Sequence, residues 1–297
     1  MTDSLDLVSL NFNKDALLLL NCCLAYIMFG VALDLKIRDF QLLIKSPVNV
    51  VTGLICQLLL LPAATLGLIL LINPGPGIAL GMMLVASCPG GNVSNFFSAM
   101  AKGNIALSVS MTAITSLGAV VITPLNFAFW SQMHGPSQKL ITAVNLDINS
   151  IILTILLVLV VPMAAGLMVN ERYPRFSERY RGIIRKISIA IFSLFIIGAL
   201  AANYRQFLEH ILDIAGIVFL HNGAALLIGF TIALLIGLPK SDRKTISIET
   251  GIQNSGLALV LIFDFFHGLG GMAIIAAWWG VWHLISGMLL SYYWSTK

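Results

Sequence analysis

Charge is what this chain has least of. Asp, Glu, Lys and Arg make up only 10% of its residues, against roughly 25% in soluble domains. No polar stretch is long enough to fold as a soluble domain by itself. A water-soluble enzyme or binding module is therefore excluded, and 58% hydrophobic residues is the composition of an integral membrane protein. Cysteine is scarce as well. Cys22, Cys23, Cys56 and Cys88 all fall inside apolar runs and fit neither a disulfide framework nor a zinc pattern. The first fifteen residues hold Asp3, Asp6 and Asp15 but only Lys14 as a basic residue, so they lack the positive start of a signal peptide. No nucleophile stands with a base and an orienting partner, and there is no phosphate-binding loop. The net charge of +4 does not point to nucleic acid, because the basic residues collect between apolar runs, as membrane topology requires.

Long apolar runs are what the chain does have. A bilayer span needs about 20 mostly apolar residues, and nine stretches qualify: 16–35, 48–72, 78–100, 104–130, 146–169, 187–203, 213–238, 245–266 and 271–294. The expected fold class is an all-α polytopic membrane protein. With the N-terminus outside and the C-terminus in the cytoplasm, only Lys14, Lys139 and Arg205 of the 17 basic residues fall on the outer side. The basic stretch 171–186 reads as a cytoplasmic loop that anchors this topology. Trp130, Tyr292, Tyr293 and Trp294 read as interfacial aromatics, whereas Trp278, Trp279 and Trp282 lie deeper and read as packing residues.

Two of the spans are interrupted. Cys88-Pro89-Gly90-Gly91-Asn92-Val93-Ser94-Asn95 puts a helix breaker, two glycines and polar side chains inside the third, and Glu249-Thr250-Gly251-Ile252-Gln253-Asn254-Ser255-Gly256 interrupts the eighth. Irregular backbone at membrane depth must be buried in protein or line a wet cavity. Paired interruptions in the two halves of a chain point to a transporter's binding site. In this topology the two run in opposite directions, as an inverted repeat requires.

Polar side chains near these breaks form two candidate oxygen clusters. Glu249 with Ser94, Asn95, Ser108 and Thr112 offers one carboxylate and uncharged oxygens, which suits a monovalent cation better than Mg²⁺ or Ca²⁺. Ser108 and Thr112 are four residues apart and share a helix face. Gln57, Glu249 and Gln253, with carbonyls freed at Thr250 and Ile252, form the second. Blander alternatives stand beside these. The helix could start late and leave Glu249 at the cytoplasmic surface near Lys244. Ser108 and Thr112 could bond back to their own helix, and Gln57 could be interhelical glue. His221 and His283 read as hydrogen-bonded packing residues, and Asp34 and Asp264 as interfacial.

The motifs from Ser87 to Asn95, Lys102-Gly103-Asn104, Leu107-Ser108, Cys56-Gln57 with Pro62, and Ser247 to Asn254 resemble those of the bile acid:sodium symporter family. The resemblance implies a core (48–130 and 213–294) packed on a panel (16–35, 146–169 and 187–203), with the broken spans crossing in the core. Fewer than twenty residues precede the first span, as in nine-helix animal members. It implies a first Na⁺ site at Ser94, Asn95, Ser108, Thr112 and Glu249. A second would use Gln57, Glu249, Thr250, Ile252 and Gln253, with Thr250 and Ile252 acting through their carbonyls. Asn92, Asn254 and Ser255, at the breaks, are the candidate contacts to an organic anion, either bile-acid-like or a smaller carboxylate such as pantoate or a keto acid. The expected function is sodium-coupled symport. Alternatives are a proton-coupled carrier that uses Glu249 and His283, and a membrane sensor that binds its ligand without moving it.

Overall fold

The computed structural model describes residues 14–33, 46–91, 93–144, 148–202 and 204–296 as a bundle of helices. α1 covers Lys14–Ala32 and α2 covers Pro47–Ile72. A first-turn proline begins α2, where its missing N–H is no loss. The helix ends where Asn73 adopts a left-handed φ of 50°. Midway it widens into a π turn at Cys56–Leu60, just before Pro62. A proline denies its helix one backbone bond, and a wider turn accommodates that loss. The same turn holds Gln57 fully buried.

Next come α3 (Pro76–Ser87), α4 (Val93–Met100), α5 (Ile105–Ser131), α6 (Gly135–Val144), α7 (Asn149–Arg172), α8 (Pro174–Ala202), α9 (Tyr204–Leu235), α10 (Lys240–Gly251), α11 (Ser255–Phe265) and α12 (Gly270–Ser295). By length and composition, α2, α5, α7, α9 and α12 are each able to cross a membrane. Polarity is distributed as in lipid rather than water. Leu71 and Leu235 are 81% and 76% exposed, whereas Gln57, Ser108, Thr112 and Glu249 have no exposed surface.

α3 lies at the centre, buried from Gly77 to Ser87 and packed on α12. At Gly81 an added Cβ would stand 2.8 Å from the Met272 Cα, so only glycine lets these two helices approach so closely. α9 packs along α10, and α1 packs on α7 and α8.

Several boundaries differ from the sequence expectation. The stretch 171–186 is not a loop: every residue but Tyr173 is helical. Lys, Arg and Glu are good helix formers, so high charge there marked an extended helix rather than a break. Residues 135–144, expected as part of a connection, form α6. α9 begins at Tyr204 rather than near 213, and α10 begins at Lys240, with Pro239 before it, rather than at 245. Trp130 is buried and donates its indole N–H to Asn126 Oδ1 at 3.1 Å, so it packs inside rather than at an interface. Tyr292 and Tyr293 are exposed at the end of α12, and Trp279 is buried against His221. Asp34, Lys36, Arg38 and Lys45 lie outside the described residues.

Candidate functional site

Pro89 causes the first break. The residue before a proline is driven out of the helical region, and Cys88 is extended at φ −72° and ψ 157°. At the second break α10 stops at Gly251, Ile252 is extended, and Asn254 starts α11 by accepting the Leu257 N–H at 3.0 Å. The two breaks lie against each other. Gly91 N–H donates to Ile252 O at 2.7 Å, Asn254 N–H donates to Pro89 O at 2.9 Å, and Gly90 faces Gln253 in one antiparallel bridge. Each interruption thus satisfies backbone groups that the other one releases, which is what a water-poor interior demands.

Glu249 sits two residues before the end of α10, fully buried. The alternative that placed it at the surface is therefore set aside. Ser94 Oγ donates to its Oε1 at 2.6 Å, Ser108 Oγ donates to the same oxygen, and Thr112 Oγ1 donates to Oε2 at 3.0 Å. Asn95 Oδ1 lies 2.8 Å from Ser108 Oγ and 3.4 Å from Thr112 Oγ1. α4, α5 and α10 therefore converge on one carboxylate. Ser108 and Thr112 point across to it instead of bonding back to their own helix. Their neighbour Thr115 does bond back, to Met111 O at 2.9 Å. Among the described residues Glu249 has hydroxyl partners and no cationic one, so its charge is met only by dipoles.

The second cluster adjoins the first. Gln57 Nε2 donates to Gln253 Oε1 at 3.4 Å, and Gln253 Nε2 donates to Thr250 O at 2.8 Å. Gln57 Oε1 is buried without a partner. Gly90 separates the clusters: a Cβ there would stand 3.0 Å from Gln57 Nε2 and 3.1 Å from Glu249 Oε2. The carbonyls expected to be free at Thr250 and Ile252 each accept one bond, from Gln253 and from Gly91. A carbonyl oxygen has two lone pairs, so each keeps one. The Thr250 hydroxyl turns back to Ile246 O at 2.7 Å, so its proton is committed to its own helix.

The candidate substrate contacts fare unevenly. Asn254 spends its side-chain oxygen on the α11 cap, and its Nδ2 lies 4.0 Å from Met28 Sδ of α1. Ser255 Oγ is buried without a partner. Asn92 lies outside the described residues. His221 is bonded to Thr65 Oγ1 at 2.6 Å, consistent with a packing role, and His283 is buried but is not among the partners of Glu249.

Some of the site was not anticipated. Thr115 Oγ1 accepts the Gly90 N–H at 3.3 Å. It continues the α5 face of Ser108 and Thr112, so helical spacing could have found it. At the start of α10, buried Asp242 accepts from Asn49 Nδ2, from Asn104 Nδ2 at 2.9 Å and from Ser241 Oγ at 3.2 Å. Lys244 donates to Ala101 O at 2.8 Å and Trp294 O at 3.1 Å, at the C-terminal ends of α4 and α12. Helix C-termini are electronegative and Asp242 lies at a helix N-terminus, so each charge meets a favourable dipole. Nothing in the sequence connects Asn49 to Asp242.

The chain is 34% identical over 274 residues to the uncharacterized sodium-dependent transporter YocS of Bacillus subtilis, covering 92% of this chain and 82% of that protein. It is 28% identical to the probable sodium/metabolite cotransporter BASS1, chloroplastic, of Arabidopsis thaliana, over 90% of this chain but only 64% of that longer protein. To the human ileal sodium/bile acid cotransporter it is 29% identical, over 82% of this chain and 68% of the other. Residues 21–210, which hold the first break and both helices that flank it, match the sodium bile acid symporter family, and the chain belongs to that family.

Proposed function

We propose that this chain is a symporter in which two Na⁺ ions, bound at the crossed breaks, drive the movement of a small organic anion through the bilayer by alternating access. Membership of the family makes the protein a sodium-coupled transporter and not an enzyme. The organic anion, the two ion positions and the moving parts are inferences from the site. The printed names of the relatives include a bile acid cotransporter and metabolite cotransporters, so the substrate class proposed is a carboxylate of modest size, not a bile acid in particular.

One observation carries the ion assignment. A carboxylate with no exposed surface is surrounded by hydroxyl and amide oxygens from two other helices and has no cationic partner among the described residues. Such a charge inside a membrane is costly unless a cation or a proton joins it. Oxygens from Ser94, Asn95, Ser108 and Thr112 with one Glu249 oxygen suit Na⁺. The other Glu249 oxygen, the unpartnered Gln57 Oε1, Gln253 and the carbonyls of Thr250 and Ile252 suit a second Na⁺. Binding the first ion partly neutralises the acid they share and draws α4, α5 and α10 together. The second ion ties α2 to the break.

The N-terminal ends of α4 and α11 lie at the breaks, and each carries about half a positive charge. With Asn92, Asn254 and Ser255 nearby in sequence, they would receive the anion's carboxylate. The proposed architecture has nine spans in an inverted repeat, with the core at 48–130 and 213–294 and the panel at 16–35, 146–169 and 187–203. Rocking of core against panel would expose the site alternately. The N-terminus would be outside and the C-terminus cytoplasmic.

Proteoliposomes with an imposed Na⁺ gradient and a panel of labelled carboxylates test this. Uptake of one carboxylate should require Na⁺ and should fail when choline replaces it. Glu249→Gln should abolish that dependence. Uptake that ignores Na⁺ but follows a pH gradient would favour a proton carrier. Binding without accumulation would favour a sensor.

A further inference from the structure

Asn222 lies on α9, outside the set of ion-coordinating positions assigned above, and it reaches the second break directly. Its Nδ2 donates to Gly251 O at 2.7 Å, and its Oδ1 accepts the Ser286 hydroxyl of α12 at 2.7 Å. Asn222 has no exposed surface. The chain Ser286–Asn222–Gly251 thus links α12, α9 and the last residue of α10. Gly251 lies between Thr250 and Ile252, whose carbonyls belong to the second cluster. A glycine's backbone is permissive, and at Gly251 an added Cβ would meet Leu226 Cδ2 at 2.3 Å, so that side chain would have to move before a stiffer residue could stand there. The peptide planes at this break therefore need an outside restraint. The Thr250 carbonyl has one in Gln253, the Ile252 carbonyl has one in Gly91, and the Gly251 carbonyl between them has Asn222 as its side-chain partner among the described residues.

We infer that Asn222, held by Ser286, is a positioning residue for sodium binding: it pins the Gly251 carbonyl toward α9 and so aims the flanking Thr250 and Ile252 carbonyls at the second ion. This rests on the two-ion assignment proposed above. Without the pin, Gly251 samples more orientations, and the neighbouring oxygens are less often in place when the ion arrives.

The test is the Na⁺-induced rise in melting temperature of the purified protein in detergent, with choline chloride holding ionic strength constant and no organic solute present. In Asn222→Ala and in the milder Ser286→Ala, half-saturating Na⁺ should rise about tenfold, the scale of one lost hydrogen bond. Ser286→Thr, which keeps the hydroxyl, should restore the wild-type titration. If Ser286→Ala and Asn222→Ala melt lower but titrate with Na⁺ as wild type does, Asn222 is merely structural and the inference is overturned. Glu249→Gln separates the two levels. If it too titrates like wild type, the ion assignment itself fails. If it loses the Na⁺ response while Asn222→Ala keeps it, only the positioning role fails.

Discussion

Ser94, on the helix that follows the first break, donates a 2.6 Å hydrogen bond to Glu249, on the helix that precedes the second. Their sequence separation is 155 residues. One short contact therefore joins the two interrupted spans through their side chains, beside the backbone bonds from Gly91 to Ile252 and from Asn254 to Pro89.

Hydroxyls that face the acid should matter to Na⁺, and hydroxyls that face their own helix should not. Ser108 donates to Glu249, whereas Ser87, equally buried on α3, donates back to Met83 O at 2.7 Å. Ser108→Ala should raise half-saturating Na⁺ for uptake about tenfold, and Ser87→Ala should leave it within about twofold. Equal effects from the two would remove the distinction.

Gly90 is predicted to tolerate nothing larger. Its Cβ would press on the Gln57 amide and on Glu249 Oε2 together, and both are confined. Gly90→Ala should cost about 1–3 kcal/mol, typical of overpacking, and should blunt the Na⁺-dependent thermal shift. Gly67→Ala, where a Cβ meets nothing within 4 Å, is the control and should leave the melting temperature unchanged or slightly higher.

The polar knot at the start of α10 should behave as one unit. Asp242 joins Asn49 of α2 to Asn104, which also caps α5 by accepting the Leu107 N–H at 3.1 Å. Asp242→Ala leaves two amides without their acceptor and should cost about 1–3 kcal/mol. A double-mutant cycle with Asn104→Ala should show a coupling above about 0.5 kcal/mol, read from reversible unfolding in detergent. Simple additivity would show that the two residues act separately.

Topology can be read by chemistry. Glu178 and Gln138 are exposed on α8 and α6. With the native cysteines replaced, Gln138→Cys should react with a membrane-impermeant maleimide applied to intact cells, and Glu178→Cys should react only after the cells are opened. The reverse pattern would invert the proposed orientation.

Much of the site was legible in the sequence because membrane helices have a strict grammar. Pro89 with Gly90 and Gly91 cannot continue a helix, and Glu249 cannot sit in lipid without partners, so the breaks and the acid stood out. Ser108 and Thr112 followed from helical spacing. What stayed hidden needed three-dimensional register. The pairing of Asn222 with Gly251, or of Asn49 with Asp242, depends on which helix lies beside which. The basic stretch 171–186 misled for a different reason. Charge density in a sequence reads as a loop, yet long charged side chains sit comfortably on an exposed helix, and only Tyr173 followed by Pro174 interrupts it. The carbonyls of Thr250 and Ile252 were expected to be free because a break releases them. The opposite break and Gln253 supply donors that no local pattern announces.

The backbone contact at Gly90 and Gln253 also fixes how this chain can change length. Such a contact has a repeat of two residues, so inserting or deleting one residue on either side would turn inward groups outward. A one-residue indel between Cys88 and Val93, or between Gly251 and Ser255, would move Ser94 or Glu249 off its partner even though neither residue had been mutated. The spacing within the two interruptions therefore constrains this protein as much as the residues that fill them.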